Sequence, residues 1–349
     1  MDRVGFPSRL LKKLPAAAVL ARAALAALFA FALGCAAARA ESGTDLTIPV
    51  DGSPVVHLQM RSGNLTVQTW NQPQIHIASS VAVHAQHFGA GAVQGALRGG
   101  DIPIFSTTVQ SAAGPVTLPA EDFAVSSLSD GAHDGVNILG GDNGANVTLT
   151  VPANTALLWA VIGRGQIEMQ DYHAGSFVER VHNGGIHVQN VSGEGFLEVA
   201  RGMIQASNSS FDRLRARTAA GPIEFSRCNA RQIYVSSVNG NISYDDGTFA
   251  PGVARFESQN GNVAIGVGGG GVQIGAHSGN GKIFEGFAGG ADVRGSGNDA
   301  QATVGGGGPV VTASSERGGV FLYNGALGPH PRTGRRFRAV GRPFKGRRL

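Results

Sequence analysis

One pattern restricts this chain more than any other: a glycine placed two residues before an aliphatic residue, returning at intervals of 18 to 21 residues. It occurs as Gly165/Ile167, Gly184/Ile186, Gly202/Ile204, Gly221/Ile223, Gly240/Ile242, Gly261/Val263 and Gly281/Ile283. Two further copies, Gly63/Leu65 and Gly318/Val320, stand apart from that run. Nine, seven and five residues before each aliphatic anchor, the positions tend to be small or apolar and alternate with more polar neighbours. Examples are Leu158, Ala160 and Ile162; Leu214, Ala216 and Thr218; Ile233, Val235 and Ser237; and Val311, Ala313 and Ser315. Alternation with period two is strand periodicity. A unit of this length cannot bury its own apolar face, whereas stacked copies form a continuous core and pair their backbones. The expected fold is therefore all-β, a parallel β-solenoid (β-helix) of about 19-residue rungs. An antiparallel sandwich would also show short strands and frequent turns, but it predicts no fixed column of one residue type.

The expected domain plan follows from where the period starts and stops. Residues 1–40 read as a signal peptide, with Arg3, Arg9, Lys12 and Lys13 ahead of an Ala/Leu/Phe run and Ala38-Arg39-Ala40 ahead of Glu41. Leu33-Gly34-Cys35 also resembles the end of a lipoprotein signal, although Ala32 departs from that pattern; it offers lipid anchoring through Cys35. Residues 41–157 hold an N-terminal rung and a β-rich cap or insertion, 158–325 the solenoid, and 326–349 a basic tail expected to be disordered. With the leader removed, Cys228 is the one cysteine left, so no intramolecular disulfide can form.

Charge divides the same way. Residues 41–328 carry 14 basic and 23 acidic side chains, and 329–349 carry eight basic and none acidic. The formal net charge of +4 therefore belongs to the leader and the tail, and the body is not expected to bind nucleic acid specifically. The tail cations Arg332, Arg335, Arg336, Arg338, Arg342, Lys345, Arg347 and Arg348 would attract anionic lipid or lipopolysaccharide.

Ser62-Gly63-Asn64-Leu65-Thr66-Val67 followed by Trp70-Asn71-Gln72-Pro73, Val151-Pro152-Ala153, and the Asn-Gly-Asn-Ile/Val units at 239–242 and 260–263 resemble the bacterial putative-adhesin β-solenoid domains of unknown function. The likeness spans roughly residues 45–325 and implies an exported repeat domain, with adhesion as the inherited role. That family has no established active site to carry over.

Chemical motifs are weak. Gly279-Asn280-Gly281-Lys282 lacks the first glycine and the Ser/Thr of a phosphate loop, since Ala276 and Ile283 occupy those places, and no Gly-x-Ser-x-Gly elbow occurs. His84 and His87 lack a third ligand, and Asp130, Asp134, Asp142 and Asn143 lack calcium-loop spacing. No cofactor, metal or catalytic residue is expected. The alternative to a non-enzymatic, adhesin-like envelope module is a polysaccharide lyase or hydrolase on a β-helix, using a pair such as Glu168 and His187 on neighbouring rungs. A periplasmic scaffold without a ligand is the third reading.

Two columns carry the binding expectations. Eight residues before the anchors stand Trp159, Val178, Phe196, Arg215, Tyr234 and Arg255. They are expected to form an outward stripe that binds an envelope glycan or surface protein, with Arg215 adding cation–π contact between Phe196 and Tyr234. Six residues before stand Arg180, Glu198 and Arg217, expected as a charge ladder on an exposed outer face. Composition sets no oligomeric state.

Overall fold

The computed structural model describes residues 43–88, 101–104, 107–111, 114–118, 121–124, 133–140, 144–287, 290–325 and 338–340. The leader, Cys35, the loop residues Asp130, Asp142 and Asn143, and the tail cations other than Arg338 lie outside the described residues. Among those described, the secondary structure is all β, and no helix is long and apolar enough to cross a membrane.

Strands Leu157–Gln170, Ser176–Gln189 and Ser192–Ser207 pair in parallel, each glycine opposite the next: Gly165 faces Gly184, and Gly184 faces Gly202. The pattern continues through Ser210–Ala220 with Ile223–Ser226, Asn229–Asn239, and Ile242–Ser258 with Val263–Val267. Side chains alternate across each strand, so Leu158, Ala160 and Ile162, each 1 % exposed or less, and their buried counterparts fill a shared interior. The core is one continuous cluster running from Ile48 to Leu322.

Glycine recurs in this column because the rungs approach too closely for a side chain. At Gly202 φ is +135°, and a Cβ would lie 1.6 Å from the Gly184 carbonyl oxygen. At Gly240 the space alone forbids a side chain, since a Cβ would lie 1.9 Å from the Gly221 oxygen. Six residues after the column glycine a second corner turns left-handed without glycine, at Asp171, Asn190, Asn208, Arg227 and Asp246, with φ between 51° and 54°. Asp and Asn tolerate this region best. The amide of Asn190 donates to Asp171 Oδ1 at 2.5 Å, and Arg227 Nε donates to Asn208 Oδ1 at 2.7 Å, tying successive corners together.

The isolated glycine copies turn out to be full rungs, placed out of chain order. Val55–Trp70 pairs on one side with Leu157–Gln170 and on the other with Gly135–Gly140 and Ala145–Pro152. At the far end, Val310–Ser315 and Val320–Asn324 slot between the rung of residues 253–267 and that of Val272–Ser278 and Ile283–Gly286. The outermost rungs at both ends are thus supplied by internal segments. Each is covered by antiparallel strands: Gln74–Ser79 and Val83–Phe88 at one end, Asp299–Val304 at the other. Such cover removes the exposed parallel edges that invite aggregation. Residues 41–157, expected as one rung plus a cap, therefore contribute two rungs. Part of the basic tail is ordered as well, because Arg338–Ala339 pairs antiparallel with Ile283–Gly286 and the Val340 N–H donates to Ile283 O at 2.9 Å.

The charge ladder has the expected register, but its burial corrects the expected exposure. Arg180 faces Glu198, and Glu198 faces Arg217. Glu198 and Arg217 are only 2 % and 3 % exposed. The Glu198 carboxylate accepts from Arg180 Nη2 at 2.9 Å through one oxygen, and from Arg217 Nη2 at 2.5 Å and Nε at 2.8 Å through the other. The Arg217 guanidinium also lies 5.3 Å from the centre of the Phe196 ring, so aromatic surface replaces water beside it. Breaking a buried pair by removing one partner costs about 3–5 kcal/mol, far above the value of an exposed pair. Thermal unfolding of Glu198→Ala is therefore expected to show a drop on that scale. Glu198→Arg, with three guanidiniums in succession, should fall further; equal melting temperatures for the two variants would contradict the ladder.

Candidate functional site

The column eight residues before the anchors is aligned rung upon rung: His57, Trp159, Val178, Phe196, Arg215, Tyr234 and Arg255 are successive backbone partners. Alignment does not make it one exposed stripe. Val178 and Phe196 are fully buried, and Trp159 is half-buried with its rings 5.2 Å from the His57 imidazole. Burial lowers the His57 pKa, opposed by the hydrogen bond to Asn137 at 3.0 Å. The expected exposure of Phe196 is thus corrected: its ring is buried, though not in the core cluster. Arg215 lies over the Tyr234 ring, as expected, and Arg217 lies over Phe196.

Part of this outer face is covered by the segment between the first two rungs. The hairpin Thr107–Ser111 and Gly114–Leu118 sets Leu118 against Ala200 and Ala219, with Val116 beside it. Leu118 is buried to 4 % exposure. Ala200 and Ala219 form with Leu118 a cluster separate from the core, so the hairpin packs on the outside of the stack.

Farther along the stack the column opens. Tyr234 is 38 % exposed, and the Arg215 guanidinium carbon stands 5.6 Å from its ring centre. Arg255, exposed on the next rung, donates to Glu257 Oε1 from Nε at 2.7 Å and from Nη2 at 2.5 Å. Arg215, Arg217, Tyr234, Ser236, Arg255 and Glu257 line a surface groove of about 280 Å³. Rung spacing of about 4.8 Å puts Arg215 and Arg255 roughly 10 Å apart along the stack. Three guanidiniums and one carboxylate face this groove, on a body with nine more acids than bases. An aromatic ring bracing an arginine, and a carboxylate orienting another, present donors for planar anionic groups.

Other sequence candidates do not gather into a site. Glu168 and His187 are backbone partners, but the His187 ring bonds across to Gln205, Nδ1 to Oε1 at 3.2 Å. His87 pairs with Asp134 at 3.1 Å, and Asp134 also accepts from the Asp51 N–H at 2.8 Å. Among the described residues no group of three His, Cys, Asp or Glu converges as metal ligands would. Cys228 is buried, and burial raises its thiol pKa.

Sequence reasoning overlooked Glu179. It lies in the inward column between Ala160 and Leu197, fully buried, and neither carboxylate oxygen has a hydrogen-bond partner. Burial pushes its pKa up to about 8. The interior template read onto the unit ending at Ile186 marks Phe177, Glu179 and Val181, so the signal was a charged residue at an apolar register position.

No family model matches the chain, and no curated protein matches it. Among solved structures, a putative cell adhesion protein from Clostridium sporogenes is similar over 81 % of this chain and 99 % of its own, at 10 % identity and a TM-score of 0.23. A likeness that distant carries no argument about the groove.

Proposed function

We propose that the chain is an exported, non-enzymatic β-solenoid acting as an adhesin-like binding module of the bacterial cell envelope, with the Arg215–Tyr234–Arg255 groove as its ligand-contacting face. The observation that carries this reading is the groove itself: an exposed tyrosine between two arginines, in register on three successive rungs. Rigid parallel strands hold these side chains at fixed spacing, and binding then costs little ordering of the receptor. Ion-paired and ring-braced arginines with an exposed aromatic are the residue types that dominate recognition surfaces. The leader pattern of residues 1–40 supports export, and Cys35 offers a lipid anchor. The basic tail supplies a second, salt-sensitive attraction to anionic lipid or lipopolysaccharide.

The test uses the mature chain, intact bacterial cells and isolated envelope polysaccharide. Adherence is expected to fall at least tenfold in Arg215→Ala with Tyr234→Ala, with the melting temperature within a few degrees of the parent. Tyr234 is exposed and Arg215 only partly buried, outside the core, which is why folding should survive. Undiminished adherence would remove the groove from the reading, and appearance of shortened glycan products would replace the binding module by a carbohydrate-active enzyme. Absence of any binding would leave a scaffold.

A further inference from the structure

We infer that the strand Ala291–Ser296, the outer edge of the far cap, pairs antiparallel with the same strand of a second copy, joining two stacks end to end about a two-fold axis at Val293. The backbone is the first ground. Ala291–Ser296 pairs with Asp299–Val304, which covers Val272–Ser278, and among the described residues it pairs with nothing on its other side. The Gly305 N–H donates to Gly290 O at 3.3 Å, and these two glycines continue the register of the pair. Bonded and non-bonded pairs alternate along an antiparallel ladder, so Asp292, Arg294 and Ser296 bond to the cap, while Ala291, Val293 and Gly295 turn their N–H and C=O groups to the open edge. Such an edge is a template for another strand. The apolar side chains agree with it. Ala291 and Val293 rest on the end of the core, yet each is only half-buried, and a strand laid beside them would close that end.

Charge selects the second copy as the occupant. Asp292 and Arg294 project from the outward face with side chains 58 % and 82 % exposed, and Arg294 Nη2 stands 2.7 Å from Asp292 Oδ2. When the strand meets itself with Val293 opposite Val293, Asp292 of each copy stands opposite Arg294 of the other, and the four charges alternate. A register shift of two residues sets Asp292 against Asp292 or Arg294 against Arg294, and like charges directly across a pair oppose it. A shift of one sets outward side chains against inward ones. Parallel pairing in register also sets like against like. Val293 is in addition the residue whose free N–H and C=O can be exchanged with their own copies across the axis. The strand is thus its own complement, and the contact is isologous. Thr44–Pro49 and Val83–Phe88, which pair on one side only at the other end, carry no such opposed charges. None of the groove residues takes part in this pairing.

The experiment measures the mass of the mature full chain by light scattering during gel filtration over micromolar concentrations. A mass of two chains is expected, falling to one chain in Val293→Pro, which removes an N–H aimed only at the open edge, where strands tolerate proline. Asp292→Arg and Arg294→Asp each set like charges across the axis, so each should be monomeric alone. Mixed in equal amounts they should associate, because the two altered strands are complementary in the same register. Both side chains are exposed and outside the core, so these two variants keep the fold and decide the matter even if Val293→Pro unfolds. A single-chain mass for the parent would overturn the inference. A dimer that persists in Val293→Pro and in both charge variants would overturn it too, by placing the contact on another surface. Charge variants that stay apart when mixed would overturn the register and the two-fold axis with it.

Discussion

Glu179→Gln is expected to raise the melting temperature by roughly 10 °C at pH 8.5 and by only one or two degrees at pH 5. The carboxyl sits in the interior between Ala160 and Leu197 without a hydrogen bond, next to the buried phenol of Tyr172. Desolvation disfavours its charged form and pushes its pKa from 4.5 to about 8. Folded chain therefore keeps the proton up to about pH 8, whereas unfolded chain releases it near 4.5. Stability is full below the unfolded value, declines as pH rises through the interval, and levels off above the folded value. At about 1.4 kcal/mol per unit, the accumulated cost is on the order of 4–5 kcal/mol, and each kcal/mol moves the melting point of a chain this size by about 2 °C. The neutral amide has no such dependence, so the gap between variant and parent should widen with pH. Glu179→Met, which also removes the unsatisfied polar atoms, should gain at both pH values. A gap that stays constant from pH 5 to 8.5 would show that Glu179 finds solvent or a cation in the folded state.

Gly202→Ala should abolish the native fold, or cost more than about 5 kcal/mol in denaturant unfolding. Its Cβ would stand 1.6 Å from the Gly184 oxygen at a φ of +135°, and the colliding atom is backbone of a rung that is itself held on both sides. Neither rung can retreat without breaking pairing along the stack. Gly275→Ala is the matched control, since a Cβ there meets nothing within 4 Å, and it should change stability by less than about 0.5 kcal/mol. Comparable losses in the two variants would mean that the close approach of rungs is not what requires glycine at position 202.

Much of this arrangement was legible in the residues because it is periodic. A column of glycines two before an aliphatic residue has a local steric cause, so Gly165, Gly184, Gly202 and Gly221 announce their alignment without knowledge of any distant segment. The register of Arg180, Glu198 and Arg217 follows from counting back along the same template. The left-handed corner was equally available, as Asp171, Asn190, Asn208 and Asp246 recur at one offset. The groove was legible in composition, through Arg215, Tyr234 and Arg255, but not in extent.

By itself the sequence determined strand periodicity, which faces point inward over most rungs, and the separation of an acidic middle from basic first and last segments. Tertiary structure alone decided three things. It placed the rungs carrying Gly63 and Gly318 one in from each end rather than at the ends, because segments distant in the chain supply the outermost rungs and their antiparallel covers. It withdrew Phe196 and the Glu198 ladder from solvent, which no strand-level pattern reveals, because burial of an outward side chain depends on what other segments and neighbouring side chains lay over it. And it left Tyr234 and Arg255 open, so that one aligned outer column is covered at one stretch and lines a groove at the next. Periodicity is set by contacts between like neighbours; exposure is set by unlike segments meeting across long stretches of chain, and only the folded arrangement brings those together.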